Sequence, residues 1–273
     1  MKKYEVTGHE PSFLPEGNWE LAWSDEFDGT ELDRSKWDYR TCMMGRRHEA
    51  WTENGVTLDG NSNAVFTLIE ENGKPVSSQL QTGHNFMDEP VTKTKFLFDD
   101  LQWPIGKLHE NKFTHRFGYY ECRCRLQQKK GWWSAFWIQS PMIGASLDSK
   151  VTGTEMDVME CFEPGVIIPN YLHTGGYGLD SRSVPTRNEN IKVDEKEFHR
   201  FGVLWDENGY TFYIDGVETG RSSENLSHTP EFILITTEVG GYRGESHAPC
   251  ADAYDSIGDT FLVDYVRVFD RVD

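Results

Sequence analysis

Apolar and polar residues alternate along eight short runs of the chain, and turn-forming residues separate the runs. The runs are residues 63–70, 118–126, 132–140, 155–162, 198–205, 210–214, 232–239 and 261–269. Because the side chains of a strand point alternately to its two faces, each run predicts a β-strand with at least one buried face. The connecting segments, such as "LDGNSN" and "IDGVE", are rich in the Gly, Asn and Asp residues that turns favour.

No helical pattern of useful length accompanies these strands, although residues 194–199 could form a single turn. Residues 205–210, "WDENGY", predict a hairpin loop. Residues 88–111 and 141–153 are predicted to be long loops, the segments in which β-scaffolds commonly carry binding residues. We therefore expect one all-β domain, a sandwich or a barrel, over residues 1–273. In that domain, residues 1–18 would be an N-terminal extension that wraps the fold or is partly disordered.

The formal net charge at pH 7 is −18, which disfavours attraction to nucleic acid or to an anionic membrane. Neither is expected as a partner, and we expect a monomer. No apolar run reaches about 18 residues, so the sequence predicts no membrane-spanning helix.

The five cysteines lack the spacing of a metal site or of a disulfide framework and are expected to be free thiols.

The first residues, "MKKYEVTGHEPSF", contain two lysines without an apolar segment behind them. They are therefore not predicted to be a signal peptide. The location of the protein stays open. A native Met1 would predict the cytoplasm, whereas removal of a leader would predict the periplasm or the outside of the cell.

The run 155–162 contains three carboxylates, Glu155, Asp157 and Glu160, in otherwise apolar surroundings. In a regular strand Glu155 and Asp157 share a face, and Glu160 points the opposite way. A buried ionised carboxylate is costly unless it is paired or hydrogen-bonded. Ion pairs with basic residues on adjacent strands are one explanation, but no Lys or Arg lies among the three acids.

A β-bulge at Val158-Met159 is the explanation that the sequence favours. The extra residue would place all three carboxylates on one face, turn Cys161 into the core and point Phe162 toward a ligand. Two carboxylates on one face, about 5–5.5 Å apart, are the groups that a retaining glycosidase requires. Repulsion among the three acids should raise the pKa of at least one of them, which we assign to Glu160.

With these residues in place, the chain resembles glycoside hydrolase family 16, which includes laminarinases, lichenases, agarases, porphyranases and carrageenases. "EMDVME" is similar to the longer form of the family's catalytic strand, E-x-D-x-x-E, which is typical of laminarinases and algal galactanases. The lichenase form is E-x-D-x-E. Residues 21–37, 118–126, 131–140 and 261–269 resemble other segments of the family in the right order. The resemblance implies a jelly-roll β-sandwich of two antiparallel sheets with a concave substrate cleft.

The resemblance also implies Glu155 as nucleophile, Asp157 as its helper and Glu160 as acid/base. The implied activity is endo-acting, retaining hydrolysis of a β-linked polysaccharide, with β-1,3-glucan of the laminarin type preferred. A red-algal or other β-galactan is an alternative. A non-catalytic carbohydrate-binding sandwich is another, although such a module has no need of three costly acids. A transglycosylase would share every catalytic residue and stays open.

Several residues are candidates for binding the polysaccharide, because sugar rings stack on aromatic side chains and their hydroxyl groups need polar partners. The candidates are Trp133, Trp137, Trp51, Trp103, His173, Arg47 and Arg123. Trp133 and Trp137 share one strand face, and Trp132 shares the other face with Phe136; the position in the motif favours the first pair for the cleft. Arg47 follows Arg46, and such a pair suits sulfate or carboxylate groups, unless both are simply solvated.

No cofactor is expected for catalysis, but the resemblance implies a structural calcium ion on the convex side of the sandwich. The matching residues are Asp264, the carbonyl group of Gly60 and Glu26. Oxygen ligands of this kind suit Ca²⁺. A plain ion pair between Asp264 and Arg267 is the alternative.

Overall fold

The computed structural model describes residues 1–89, 91–93, 102–106, 109–243 and 246–273, and for 91–93 and 102–106 it describes the backbone alone. The first strands are β1 (Lys2–Tyr4), β2 (Ser12–Leu14), β3 (Trp19–Asp25), β4 (Asp38–Tyr39), β5 (Cys42–Met43), β6 (Arg46–Arg47), β7 (Val56–Leu58), β8 (Ala64–Thr67), β9 (Ile69–Glu71), β10 (Lys74–Val76), β11 (Gln79–Gln81), β12 (Val91–Lys93), β13 (Gln102–Gly106) and β14 (Gly118–Arg125). They are followed by β15 (Trp132–Gln139), helix α1 (Ser149–Thr152), β16 (Glu155–Glu163), β17 (Val166–Ile167), β18 (Tyr171–Thr174), β19 (Arg182–Pro185), β20 (Ile191–Lys192), β21 (His199–Asp206), β22 (Gly209–Ile214), β23 (Val217–Ser222), β24 (Phe232–Val239), helix α2 (Ala251–Asp255) and β25 (Thr260–Arg271).

Two large antiparallel sheets dominate the described part of the chain. The first, called here the cleft sheet, has the order β19-β18-β16-β15-β24-β11-β4, with β17 and β20 attached beside β16. The second, called the outer sheet, has the order β23-β22-β21-β14-β25-β8-β7, with β3 paired to β25. Residues from both sheets form one shared hydrophobic core. The prediction of an all-β sandwich is confirmed, and all eight predicted strands are present.

Strand β15 shows how the alternation in the sequence builds the core. Trp132 and Phe136 are buried in the core between the sheets. Trp133 and Trp137 point to the opposite face, where they line a cleft. Burial of the first pair removes large aromatic surfaces from water, which is the main stabilising contribution of such a strand. The same period therefore fixes which face of the strand meets a ligand.

The segments predicted to be long loops contain some regular structure. Within residues 88–111, β12 and β13 form an antiparallel pair, which satisfies backbone hydrogen bonds within the connection itself. Helix α1 follows the N-cap Asp148, whose carboxylate accepts a hydrogen bond from the Lys150 amide group. Helices α1 and α2 are too short to leave a periodic signal in the sequence. Within the described ranges, no helix combines the length and apolar character needed to cross a membrane.

The N-terminal residues pack on the outer sheet. Strands β1 and β2 form a hairpin. A guanidinium nitrogen of Arg267 donates hydrogen bonds to the Glu10 carbonyl (2.8 Å) and to the Ser12 hydroxyl (2.9 Å). The Phe13 amide group donates to the buried Glu121 carboxylate over 3.1 Å. These polar contacts attach the segment to β14 and β25, on the side of the sandwich away from the cleft.

The five cysteines, all within the described residues, are free thiols, as the sequence predicts. Cys122, Cys124 and Cys161 are fully buried in the core, where they act as small apolar side chains. The fold is therefore held together by packing and hydrogen bonds rather than by disulfides between these residues.

Candidate active site

The irregularity in β16 is a β-bulge at the predicted place. Ser134 to Phe136 pair in register with Cys161 to Met159, but the next residue, Trp137, pairs with Asp157. Val158 has no partner in this register and is the extra residue. Val158 and the following Met159 both lie in the core. Two successive side chains therefore point to the same side, and the alternation of faces resumes after them.

The bulge brings the three acids to one cleft. Glu155, Asp157 and Glu160 all line a cavity of about 280 Å³ on the cleft sheet, and Phe162 lies on the same face. Met156 and Cys161, by contrast, are fully buried in the core. Other cavity residues come from β15, β18, β19, β24 and the turn after β24: Trp133, Ala135, Trp137, Tyr171, His173, Ser183, Thr236, Glu238 and Arg243. The face predicted for each acid is therefore confirmed.

His173 lies among the carboxylates because β18 runs beside β16. His173 is the register partner of Glu155, and its Nε2–H group donates to Oδ2 of Asp157 over 2.9 Å. Burial alone would lower the pKa of His173. The hydrogen bond to Asp157 and the charges of the three carboxylates instead raise it to about 9. The imidazole ring is therefore positively charged at neutral pH.

The environments of Glu155 and Glu160 favour the neutral carboxyl group. Burial and then the charge of Asp157 raise the pKa of Glu155 to about 7. Burial and the same charge raise the pKa of Glu160 well above its usual range. Acid/base chemistry at neutral pH needs a carboxylic acid that holds its proton more tightly than an ordinary glutamate does, and the pKa of Glu160 is shifted in that direction. The rise predicted for Glu160 is confirmed in direction.

A buried polar network supports Glu155 from the side of β15. Gln139 donates to a Glu155 carboxylate oxygen, and its own carbonyl accepts from the Asn85 amide over 2.8 Å. The Tyr177 hydroxyl accepts from Asn85 (3.1 Å) and from Arg40 (3.2 Å). The network as a whole was not predicted from the sequence. Gln139 could have been predicted to face the cleft, because it lies at the end of the same strand and on the same alternating face as Trp133 and Trp137.

Arg40 is the buried cation of that network. It is 3% exposed, and its guanidinium group contacts Asp88 at 2.7 Å. It also lies 4.9 Å from the Trp51 ring centre and 5.2 Å from that of Trp137. Two indole faces and one carboxylate therefore compensate a cation that would be costly alone in the interior. No feature of the sequence around Arg40, which directly follows strand β4, indicated that it would be the buried cation of this network.

The aromatic walls of the cleft are Trp133 and Trp137. The Trp137 indole N–H group donates to the Thr236 hydroxyl over 2.9 Å, which fixes the ring on the cleft sheet. Trp133 packs against Phe162, with ring centres 4.9 Å apart, and the Arg243 guanidinium group lies 5.2 Å from its ring centre. The structure thus brings together the tryptophan pair that the sequence motif favoured.

Arg243 and Glu238 form an ion pair at this end of the cleft, and neither was singled out in the sequence. Two guanidinium nitrogens of Arg243 contact the two oxygens of Glu238, at 2.6 and 3.1 Å. Glu238 is in β24, in register with Trp133. The bidentate pair largely neutralises the cation that lines this part of the cavity.

Two further candidates for sugar binding, Trp51 and Arg47, are not among the described residues that line the cavity. Trp51 is 3% exposed and stacks on His48, with ring centres 4.4 Å apart, so it presents almost no free face to a sugar ring. Its position against Arg40 explains why a loop tryptophan is buried. Arg47 is exposed in β6 and is not among the described residues that line the cavity. Trp103 is in β13, whose side chains lie outside the described residues, so its role stays a prediction.

Arg123 is on the outer sheet, and its prediction as a sugar-binding residue is wrong. One of its guanidinium nitrogens lies 2.5 Å from an Asp264 oxygen, and the group packs 4.7 Å from the Phe198 ring centre.

Asp264 and Glu26 were predicted calcium ligands, with the Gly60 carbonyl group. The Nε and one terminal nitrogen of Arg267 donate to the two carboxylate oxygens of Glu26, at 2.9 and 2.7 Å. Because arginines already neutralise both carboxylates, these residues do not fit a calcium site.

Comparisons with known proteins agree with this geometry. The sequence profile of Glycosyl hydrolases family 16 matches residues 49–254. The chain is 24% identical over 273 residues to glucan endo-1,3-beta-glucosidase A1 of Niallia circulans, covering 91% of this chain and 37% of that protein. It is 23% identical over 264 residues to keratan-sulfate endo-1,4-beta-galactosidase of Sphingobacterium multivorum, covering 92% of this chain and 55% of that protein. The chain thus spans only about a third to a half of the length of these curated relatives.

Among solved structures, the laminarinase from Rhodothermus marinus has a TM-score of 0.66 with 21% sequence identity, covering 95% of this chain and 100% of that chain. This likeness shows a shared fold, the jelly-roll sandwich. The profile match covers most of the sequence, including the whole bulged strand β16 with its three acids. This chain therefore belongs to glycosyl hydrolases family 16.

Proposed function

We propose that this chain is an endo-acting, retaining glycoside hydrolase that cleaves a β-linked glucan, with β-1,3-glucan of the laminarin type as its substrate. The observation that carries the proposal is the bulged strand β16, which places Glu155, Asp157 and Glu160 in one cleft between aromatic walls. A binding module gains nothing from three buried acids, whereas double displacement needs two of them.

In the first step, the Glu155 carboxylate attacks the anomeric carbon while Glu160 donates its proton to the glycosidic oxygen. The bond to the leaving sugar breaks, and a covalent glycosyl–enzyme forms. In the second step, the Glu160 carboxylate takes a proton from water, which attacks the same carbon and releases Glu155. Two inversions give a product with the starting configuration. The raised pKa of Glu160 suits a group that begins as an acid.

Asp157 and His173 position and tune the two glutamates. The protonated His173 stabilises the Asp157 carboxylate through the 2.9 Å hydrogen bond. The charge of Asp157 in turn raises the pKa of both glutamates. Gln139 opposes this effect at Glu155 by donating to its ionised form. The nucleophile is thus kept ready to ionise near neutral pH, while the acid remains protonated.

A neutral sugar fits the cleft better than an anionic one. Four acidic side chains line the cleft, Glu155, Asp157, Glu160 and Glu238, and the arginine among its described lining residues, Arg243, is already paired with Glu238. Arg47, the residue that suggested a sulfated polysaccharide, lies away from the cavity. The name of the Niallia circulans relative, a glucan endo-1,3-beta-glucosidase, supports the same choice.

The name of the Sphingobacterium multivorum relative, a keratan-sulfate endo-1,4-beta-galactosidase, favours a second candidate, a β-galactan. A galactan substrate would use the same acids and require other contacts along the cleft. Hydrolysis and transfer to an acceptor sugar also share these residues, since only the second nucleophile differs.

The test is a product screen with the full chain on laminarin, mixed-linkage glucan, agarose, porphyran, carrageenan and keratan sulfate. We expect oligosaccharides of several lengths from laminarin at early times, and NMR of the first product should show the β-anomer. Glu155→Gln should abolish cleavage and retain binding of laminarin. Cleavage of a galactan alone would replace the glucan proposal, and an initial α-anomer would exclude double displacement. Added acceptor sugars would reveal transfer products.

A further inference from the structure

We infer that His84, Glu89 and His109 form a binding site for one divalent transition-metal ion of the zinc class. The three side chains line a separate cavity of about 200 Å³, which shares Arg40 and Asp88 with the network behind the active site. They play no part in the proposed mechanism. The inference goes beyond the proposed function and does not depend on it.

The donor atoms have the spacing of ligands around one small ion. Nδ1 of His84 lies 3.2 Å from Oε1 of Glu89, and Nε2 of His109 lies 3.2 Å from Oε2 of the same carboxylate. One donor atom from each of the three residues lies within 4.8 Å of the others. Zinc binds nitrogen and oxygen ligands at about 2.0–2.2 Å, so two ligands at the tetrahedral angle lie roughly 3.3 Å apart. Each nitrogen–oxygen contact is close to that value, with the two nitrogens facing different oxygens of the same carboxylate.

Asp38 supplies the outer contact that metal-binding histidines commonly have. Nε2 of His84 faces an Asp38 oxygen at 3.3 Å. In the tautomer that carries its proton on Nε2 and donates it to Asp38, Nδ1 is the nitrogen that would bind the ion, which would lie between Nδ1 and Glu89. The Gln81 amide also faces Nδ1, at 3.1 Å, and Lys112 contacts Asp38 at 3.1 Å. His84 is therefore oriented by partners outside the proposed ligand set.

The type of ligand favours a transition metal over calcium or magnesium. Two imidazole groups and one carboxylate suit Zn²⁺ and similar ions, whereas Ca²⁺ and Mg²⁺ prefer oxygen ligands alone. The side chains of His84, Glu89 and His109 are 13%, 18% and 33% exposed. An ion and a water ligand can therefore enter from solvent.

The site would join the two ends of the connection that contains β12 and β13. His84 and Glu89 lie before this pair of strands, and His109 lies after it. Asp88, next to Glu89 in sequence, holds Arg40 of the network behind Glu155. A bound ion would therefore fix the base of this long connection against β4, beside the active-site network.

Isothermal titration of the chelator-treated full chain with Zn²⁺ tests the site. We expect one ion per chain, and a rise in Tm with zinc concentration because the ion binds the folded state. His109→Ala and Glu89→Gln should each weaken binding at least tenfold and remove the rise in Tm. Asp38→Asn should weaken it about tenfold, as outer contacts of a metal site do. His247→Ala, an exposed histidine elsewhere, is the matched control and should bind like the wild type.

The active-site cluster of Glu155, Asp157 and His173 also has donor atoms within 4.8 Å of one another, so it must be distinguished. His173→Gln should leave the zinc stoichiometry and affinity unchanged. Loss of binding in His173→Gln with retention in His109→Ala would overturn the inference. Absence of zinc binding, or equal affinity for Ca²⁺, would also overturn it. None of these readouts depends on glycosidase activity, so failure here is distinct from failure of the proposed function.

Discussion

The Nε2–H group of His173 donates to Oδ2 of Asp157 over 2.9 Å, and His173 lies opposite Glu155 in the register of β16 and β18. A cationic imidazole thus lies among the three acids of the cleft. Burial disfavours its charge, but the carboxylates more than offset that cost and raise the pKa of His173 to about 9. Histidine and acids therefore titrate as one unit.

Replacing His173 by Gln should make stability less dependent on pH. The pKa of His173 is about 9 in the folded protein, above its ordinary value of 6.5. The protonated form therefore contributes stability that is fully present below pH 6.5 and is lost as the pH rises through 9. We expect His173→Gln to lower the free energy of unfolding by about 1–3 kcal/mol at pH 6 and by much less at pH 9.5. Urea unfolding at both pH values measures this; an equal loss at both would contradict it.

Replacing Gln139 by Leu should move the acidic limb of the kcat/KM profile to higher pH. Burial and the charge of Asp157 raise the pKa of Glu155 to about 7, and the hydrogen bond that Gln139 donates to the Glu155 carboxylate keeps that pKa from rising further. Without this donor the carboxylate is less favoured, so the nucleophile ionises at higher pH. The matched control is Gln127→Leu, a buried glutamine that bonds to Ser134 and the Cys161 carbonyl instead. A limb that moves equally in both variants would indicate a general loss of structure.

Chemical rescue should separate the roles of Glu155 and Glu160. Glu155→Ala should lose at least about 10⁴-fold in kcat, and azide should restore turnover of an activated aryl glycoside as the α-glycosyl azide. Glu160→Ala should still form the glycosyl–enzyme from such a substrate, because a good leaving group needs no proton, and azide should then yield the β-product. The opposite pattern of azide products would exchange the two assignments.

Deleting Val158 should keep the three acids on one face. Without the extra residue, the sequence 155–160 becomes Glu-Met-Asp-Met-Glu, in which a period of two places every acid in the cleft. We expect a folded variant with reduced but measurable activity. Insertion of Ala after Val158 gives Glu-Met-Asp-Val-Ala-Met-Glu, in which a regular period of two also keeps the acids on one face but moves Glu160 two residues, roughly 6.6 Å, farther along the strand from Glu155. We expect this variant to fold and to lose nearly all activity, because the two glutamates no longer reach the same glycosidic bond. Circular dichroism and activity of both variants test this; an insertion variant as active as the deletion variant would contradict the bulge argument.

Replacing Arg123 by Met should change stability and leave catalysis alone. Arg123 compensates Asp264, which is 8% exposed on the outer sheet. Removal of one partner of such a pair costs about 3 kcal/mol. We expect a lower Tm with KM for laminarin unchanged. Added Ca²⁺ should leave the wild-type Tm unchanged, because arginines engage Asp264 and Glu26. A rise in Tm with Ca²⁺ would contradict this expectation and support the calcium site.

Much of the fold could be predicted because alternation is a local property. The eight runs became strands, and the faces of Trp132 and Trp133 followed from the period alone. The short helices and the β12–β13 pair were not predicted, because elements of three to five residues carry too little periodic signal. The N-terminal contacts of Arg267 were equally hidden, since they join residues more than 250 positions apart.

The sequence by itself determined the acid-bearing strand: the broken spacing of "EMDVME" predicted a bulge, and a bulge there places the three acids on one face. Only the tertiary structure decided which distant side chains surround them. Arg123 was a candidate for sugar binding until β25 placed Asp264 beside it, and Trp51 was a candidate platform until Arg40 lay against its ring. Backbone alternation is fixed by neighbours in the chain, whereas burial and ion pairing are fixed by strands that meet only after folding.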